Sequence, residues 1–417
     1  MPRKVRSRKA LVFPIIGALL CIFLSAFTFS QFASAHNANQ STLDASSQKK
    51  RPHPTATPIH RHTPTPTPRP GKTPTPGTTP TIGVTATVGT TPTVGVTATV
   101  GTTPTVTPTQ GPQSLQVFVE PEAGETPILN GINKAQKSVW LEIYLMTDNN
   151  IIQALESDAK RGLDVRVMLE PHPFGGGSPQ TTLDALNAAG VKAQTSNTVF
   201  KYTHEKGMII DGSVAYIMTS NFTNSAILTG KNREYDIIDS TPQDVQGTID
   251  IFNADWNRTA EHVTDPSLVI SPDNSRNDFV TFINNAKSSL IIEAEEMQDT
   301  TVEQAIASAA KRGVTVQVIL PTPQSGSTDY NAAGIAVIKA GGAQVKEDGQ
   351  LIMHAKMMVA DGTNAYVGSI NISSNSFDNN RELGVLFTDQ GIITTLKQTF
   401  QNDWGVSTNQ DEWGFFF

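Results

Sequence analysis

The chain has 417 residues, with 31 basic and 38 acidic side chains for a net charge of −7, and a single cysteine. That length is more than one ordinary domain needs, and the acidic balance argues against a body that binds polyanions over its whole surface, because Lys and Arg neutralising phosphate supply much of such affinity. One cysteine excludes a disulfide framework and a thiolate metal centre.

Arg3, Lys4, Arg6, Arg8 and Lys9 precede an apolar run from Ala10 to about Phe29, and Ala33-Ser34-Ala35 follows. Basic, apolar and then small residues is the order of a secretory signal with its cleavage site. An uncleaved anchor is the competing reading, since the run is near the ~20 residues that span a bilayer; Pro14 and Gly17 weaken such a helix and favour cleavage. Cys21 falls inside this leader, and Leu20 before it is not the small residue of a lipoprotein signal. Residues 1–35 are thus a signal peptide or anchor, and both readings place the remainder outside the cell, free or tethered to its surface.

Residues 36–113 shift to Thr, Pro, Gly and Val, with TPTPTPRPGKTPTPG and then near repeats of GVTATVGTTPTV. Such sequence cannot bury enough apolar surface to offset its ordering entropy, so a disordered, partly polyproline-like stalk is expected. Where Pro-rich it extends up to ~3 Å per residue, for a length of roughly 100 to 200 Å. Its threonines are candidates for O-linked sugars. His53, His60 and His62 lie along it without Cys or carboxylate partners and read as solvated.

The rest of the chain is written twice. GINKAQKSVWLEIYLM (131–146) parallels FINNAKSSLIIEAEEM (282–297), and AKRGLDVRVMLEP (159–171) parallels AKRGVTVQVILP (310–321). In each copy a helix ends near Ala135 or Ala286, and an apolar run, Val139 to Leu145 or Leu290 to Ala294, reads as a buried strand. A second helix ends on Lys-Arg-Gly, where cations suit the carbonyl end and Gly suits the cap. Val165 to Leu169 or Val316 to Leu320 then reads as another strand. Helices alternating with continuously apolar strands predict an α/β fold whose sheets are covered on both faces, in two domains, 114–265 and 266–417.

One stretch recurs in both copies: HEKGMIIDGSVAYIMTSN at 204–221 and HAKMMVADGTNAYVGSIN at 354–371. Side chains alternate along a strand, so His204 and Lys206 share a face, as do His354 and Lys356. Asp211-Gly212 and Asp361-Gly362 are hairpin signals between two short strands. Asn221 and Asn371 close the stretches, each with a hydroxyl residue two positions earlier (Thr219, Ser369), and Arg233-Glu234 and Arg381-Glu382 follow.

These residues resemble the phospholipase D superfamily, whose signature is His-x-Lys-x4-Asp-x6-Gly-Ser-x-Asn. The second copy matches it fully; the first has Met218-Thr219 for Gly-Ser, which keeps the hydroxyl and loses the close backbone approach to phosphate that Gly allows. The resemblance covers nearly all of 115–405. It implies two tandem α/β/α sandwich units related by a pseudo-two-fold axis, with the active site at their junction. Phosphodiester hydrolysis needs a nucleophile, positive charge on the non-bridging oxygens and a proton for the leaving oxygen. Two sets of His, Lys and Asn supply all three, so neither a metal nor a cofactor is expected.

The resemblance makes His204 the nucleophile of a phosphohistidine pathway and His354 the general acid and base. Lys206, Lys356, Asn221 and Asn371 then bind phosphoryl oxygens, and Glu234 and Glu382 match the acidic partners that orient the histidines. Asp211 and Asp361 complete the catalytic motif and are assigned to turn geometry and orientation. His172, in the loop PHPFGGG, reads as a loop residue at the edge of the cleft, and His262 as solvated. The apolar tail Trp413 to Phe417 reads as a cap on the last lobe or a membrane contact.

Three functions fit this pattern: a phospholipase D-type hydrolase releasing phosphatidate and a head-group alcohol, a metal-independent endonuclease of the same fold, and a non-catalytic binding module on a stalk. Two intact motifs count against the third. Residues 114–417 carry 20 basic against 37 acidic side chains, a net charge of −17, which favours a phospholipid or membrane surface over nucleic acid as partner. A monomer is expected.

Overall fold

The computed structural model describes residues 114–409 apart from 175, 176 and 229. The leader, the stalk and the tail Trp413 to Phe417 lie outside the described residues. The first copy contributes Leu115–Glu120 (β1), Ser138–Ile143 (β2), Asp164–Leu169 (β3), Lys192–Thr195 (β4), Lys206–Ile210 (β5), Val214–Met218 (β6) and Asn232–Asp239 (β7), in the spatial order β1-β7-β6-β5-β2-β3-β4.

The second contributes Leu268–Ser271 (β8), Ser289–Ala294 (β9), Thr315–Pro321 (β11), Gln344–Asp348 (β12), Lys356–Ala360 (β14), Asn364–Gly368 (β15), Glu382–Phe387 (β17) and Thr408–Asn409 (β18), in the order β8-β17-β15-β14-β9-β11-β12-β18. Met297–Gln298 (β10) and Ile372–Ser373 (β16) pair with each other, and Ile352–Met353 (β13) joins β7. Strand for strand the two orders coincide, with β18 as an added edge. Both sheets are mixed: in the first, β2, β3 and β4 run parallel, β5, β6 and β7 are antiparallel each to the next and to β2 and β1 on either side, and the short β13 joins β7 in parallel.

Helices cover both faces of each sheet. In the first lobe Thr126–Lys134 (α1), Asn149–Lys160 (α2) and Gln180–Ala188 (α3) pack Ile132, Leu155 and Leu186 onto Leu141, Val167 and Met208. On the opposite face Pro242–Asn257 (α4) stacks Phe252 on Trp140, ring centroids 5.3 Å apart. Trp140 and Leu141 are neighbours in sequence, so strand alternation alone delivers them to opposite layers. In the second lobe Ser275–Asn285 (α5), Thr300–Lys311 (α6) and Ala332–Gly341 (α7) play the part of α1 to α3. Ser374–Asp378 (α8) is a single short turn, and Gln390–Val406 (α9) covers the other face with Ile393, Leu396 and Phe400.

Local sequence sets these boundaries twice over. Asp148 caps α2 by accepting from the Asn150 and Ile151 N–H groups, and Asp299, its counterpart, caps α6 through Val302; a capped first turn is worth ~1 kcal/mol. Both helices end in Lys-Arg-Gly, with Gly162 at φ +90° and Gly313 at φ +93°, a backbone region where a side chain would be strained.

One apolar cluster joins the lobes, with Ile217, Tyr235, Ile237 and Ile251 of the first against Met353, Met357, Val359, Leu383 and Phe400 of the second. Two buried arginines clamp the same boundary reciprocally. Arg233 grips Asp403 with Nε at 2.6 Å and Nη2 at 3.0 Å, and Arg381 pairs with Asp255 at 2.8 Å and Glu261 at 2.9 Å.

Candidate active site

Each histidine sits just before a central strand and is held by the other lobe. The His204 N–H donates to the Arg381 carbonyl at 2.8 Å, and the His354 N–H to the Arg233 carbonyl at 3.3 Å. Ile352 and Met353 pair with Asn232 and Arg233, while Thr203 bridges Arg381. This exchange of short segments brings the residue after each arginine against the opposite histidine. His204 Nδ1 lies 2.9 Å from Glu382, and His354 Nδ1 lies 2.9 Å from Glu234.

A carboxylate can only accept, so Nδ1 carries the proton in each pair and Nε2 is the free atom. The carboxylates are themselves fixed. Thr219 Oγ1 and Asn232 donate to Glu234 at 2.7 and 3.0 Å, and Ser376 and Asn380 donate to Glu382 at 2.8 and 3.1 Å. Burial works to raise both acids, yet the facing histidine and lysine outweigh it and hold Glu234 and Glu382 below the ordinary carboxylate range. His204 moves the other way, because burial penalises the imidazolium more than Glu382 supports it; a nucleophile needs that neutral form.

Lys206 and Lys356 open β5 and β14 with side chains almost fully buried, and each donates to the carbonyl of its own copy's histidine at 2.6 Å. Burial lowers Lys206 to about 7, and the charge of Lys356 adds to the effect. Glu382, Glu295 and Glu234 act on the same ammonium, so both motif copies face one space. Asn371 donates to Glu295 at 3.1 Å, and Asn221 holds the matching place after β6, buried with Oδ1 unpartnered.

Two site residues escape a reading of the motifs alone. Tyr144 lies edge-on to His204 at 4.7 Å between centroids, and its ring is 5.3 Å from the Lys206 ammonium. Glu295 Oε2 lies 2.7 Å from Lys356 Nζ and 3.6 Å from His354 Nε2. The aligned copies place these two at the same position, one residue beyond the end of β2 and β9, and the difference between them was the available signal.

Asp211 and Asp361 are not in the cluster. Both stand at the far end of their strands, in hairpin turns with φ +56° and +55°. Asp211 accepts from the N–H groups of Gln136, Lys137 and Ser138, and Asp361 from those of Lys287, Ser288 and Ser289. Four residues separate each from its lysine, too far for proton transfer, so their place in the catalytic motif is that of clasps, in keeping with the turn geometry assigned to them from the sequence.

Gly368 of the Gly-Ser pair has a packing role. A Cβ on Gly368 would fall 2.3 Å from the Gly384 Cα and 2.7 Å from the Tyr366 hydroxyl, so this Gly serves the packing of β15 on β17. In the first copy Asp236 replaces Gly384 as strand partner and Met218 is accommodated. Thr219 keeps the hydroxyl and spends it on Glu234.

His172 is exposed, but its loop reaches the site: Glu170 accepts from the Thr203 N–H at 2.6 Å, and the Phe174 N–H donates to the Tyr144 hydroxyl at 2.5 Å. His262 is exposed. Among the described residues Glu142, Glu205 and Asp255 form a buried group with donor atoms close enough for a cation. It lies on the α4 face, opposite to Lys206. Burial raises all three acids, Glu205 to about 8, and Arg381 already supplies a positive charge there.

The profile of the family "Cardiolipin synthase, PLD-like domain" matches residues 128–256 and again 279–404. A cardiolipin synthase of Clostridium perfringens is 26% identical over 332 residues, covering 67% of this chain and 68% of the relative. Cardiolipin synthase 2 of Staphylococcus epidermidis is 23% identical, covering 70% and 68%. Among solved structures, phosphatidylserine synthase of Haemophilus influenzae superposes with a TM-score of 0.54 at 14% identity, covering 71% of this chain and 87% of that one. Polyphosphate kinase of Porphyromonas gingivalis also reaches 0.54, at 13% identity and 69% and 50% coverage. With both copies matched over most of their length, the chain belongs to the phospholipase D superfamily and carries its phosphodiesterase domain twice.

Proposed function

We propose that this protein is an exported phospholipase D-type hydrolase that cuts phospholipid to phosphatidate and a head-group alcohol through a phosphohistidine. The observation that carries this is the reciprocal pairing, His204 with Glu382 and His354 with Glu234, which leaves two oriented Nε2 atoms and two buried lysines facing one space. The same reciprocity supports a pseudo-two-fold axis between the lobes. Neutral His204 attacks phosphorus through Nε2, the bond from phosphorus to the head-group oxygen breaks, and His354 delivers a proton to that oxygen. Water then gives a proton to His354 and attacks phosphorus, the P–N bond breaks, and phosphatidate leaves with His204 neutral again. Lys206 and Lys356 stabilise the charge on the non-bridging oxygens, with Asn221 and Asn371 as amide donors.

Lipid is favoured over nucleic acid on three grounds. The body is acidic, the relatives are named for a lipid product, and Arg233 and Arg381, beside the site, are engaged in buried ion pairs rather than offered to a polyanion. The leader and stalk support placement outside the cell. The test is to incubate the purified protein with EDTA and, in parallel, phosphatidylcholine, cardiolipin, and single- and double-stranded DNA at matched phosphate. Head-group release that outpaces DNA cleavage is expected; DNA cleavage that outpaces it and falls steeply with salt would establish the nuclease instead.

A further inference from the structure

The two half-sites differ at one aligned position. Tyr144 is a fixed wall of the first, tied through its hydroxyl to Phe174. Its counterpart Glu295 is a third exposed, and its Oε2 sits where Lys356 Nζ (2.7 Å), Asn371 Nδ2 (3.1 Å) and His354 Nε2 (3.6 Å) converge. Those are the groups that would hold a phosphoryl oxygen in the second half-site, so the carboxylate oxygen stands in the place of a substrate oxygen.

A phosphodiester and this carboxylate cannot share that point. Two like charges in van der Waals contact repel strongly where little water screens them. Bound substrate must therefore turn Glu295 aside, which its partial exposure allows. The displaced carboxylate has lost Lys356 and remains beside His354, where the head-group oxygen departs. It now needs another cation, and it repels any anion carried by the departing alcohol.

We propose that Glu295 is a specificity-determining residue that selects phosphodiesters whose leaving alcohol carries a primary ammonium close to the ester oxygen. Such an ammonium takes over the pairing that Lys356 gives up, with N–H donors that a quaternary ammonium lacks. A neutral polyol head group gains only a hydrogen bond, and an anionic one is excluded by repulsion. This rests on the assignment of His354 as the acid that serves the leaving group.

The test compares phosphatidylethanolamine, phosphatidylcholine and phosphatidylglycerol in detergent mixed micelles at equal surface concentration, with bis(4-nitrophenyl) phosphate as a lipid-free probe of the same chemistry. The wild-type protein is expected to favour phosphatidylethanolamine over phosphatidylglycerol at least about tenfold in kcat/KM, a factor equal to 1.4 kcal/mol. In Glu295→Gln and Glu295→Tyr that ratio should fall towards one. An unchanged ratio in folded variants, or a wild-type preference for phosphatidylglycerol, overturns the proposal while leaving hydrolysis intact. Failure on every lipid with turnover of the nitrophenyl diester would instead overturn the lipase reading and this one with it. Without any variant, O-phosphoethanolamine should inhibit nitrophenyl diester turnover more strongly than glycerol phosphate; equal inhibition contradicts the role of Glu295.

Discussion

At the scale of single residues, the proposed chemistry makes the two histidines one unit, so their losses should not add. His204→Ala and His354→Ala are each expected to remove nearly all phospholipid turnover; a variant keeping more than about a tenth of the wild-type rate, only ~1.4 kcal/mol of lost transition-state stabilisation, would break the shared-site mechanism. The buried lysine gives a pH signature. Lys206 is lowered to about 7, so its ammonium is present below that pH and lost above it. His204 is lowered from its ordinary value, so its neutral form is available on the acid side of neutrality. The kcat/KM profile should therefore rise on leaving acid pH and fall as pH passes about 7. Lys206→Arg, which cannot lose its charge, should change the falling limb, leaving only the fall that comes from loss of the proton His354 must deliver. A profile flat from pH 6 to 9 in the wild type would contradict this reading of Lys206.

At the scale of elements, the hairpins that carry the lysines are anchored by Asp211 and Asp361, far from the chemistry. Asp211→Asn keeps a residue that tolerates positive φ and removes the ionic acceptor of three N–H groups. It should cost about 1–2 kcal/mol of stability in urea unfolding and leave kcat of the folded enzyme within about twofold. A tenfold loss of kcat at unchanged stability would return Asp211 to the chemistry. The hairpins were legible in sequence because Asp-Gly demands a turn with two positive φ values, and Lys-Arg-Gly likewise announced the ends of α2 and α6. Neither signal said what the Asp carboxylates hold, because Gln136 to Ser138 lie over seventy positions earlier and that pairing exists only once the sheet has formed.

At the scale of the whole molecule, the duplication declared two sheets of one design, and both have it. What stayed hidden was the crossing of partners: each motif histidine is followed downstream in its own copy by an Arg-Glu pair, yet the glutamate that orients it comes from the other copy. Only packing of the lobes decides this, and the reciprocal arginine clamps show its cost and strength. Asp403→Ala strands Arg233 with its bidentate partner gone and should destabilise the protein by about 3 kcal/mol. Glu122→Ala removes the solvent-exposed partner of the same arginine and should cost under about 1 kcal/mol. Equal effects of the two, read by thermal or urea unfolding, would mean that the clamp does not hold the lobes. The composite site itself is tested most directly by trapping its covalent intermediate. In His354→Ala the nucleophile remains and the base that frees it is gone, so a diester with a nitrophenol leaving group, which needs no proton, should react once and stop. A burst of one equivalent of nitrophenol and an alkali-stable phosphoryl adduct mapped to His204 is the expected result. No burst, or an adduct on any other residue, would contradict a site assembled from both copies with His204 as its nucleophile.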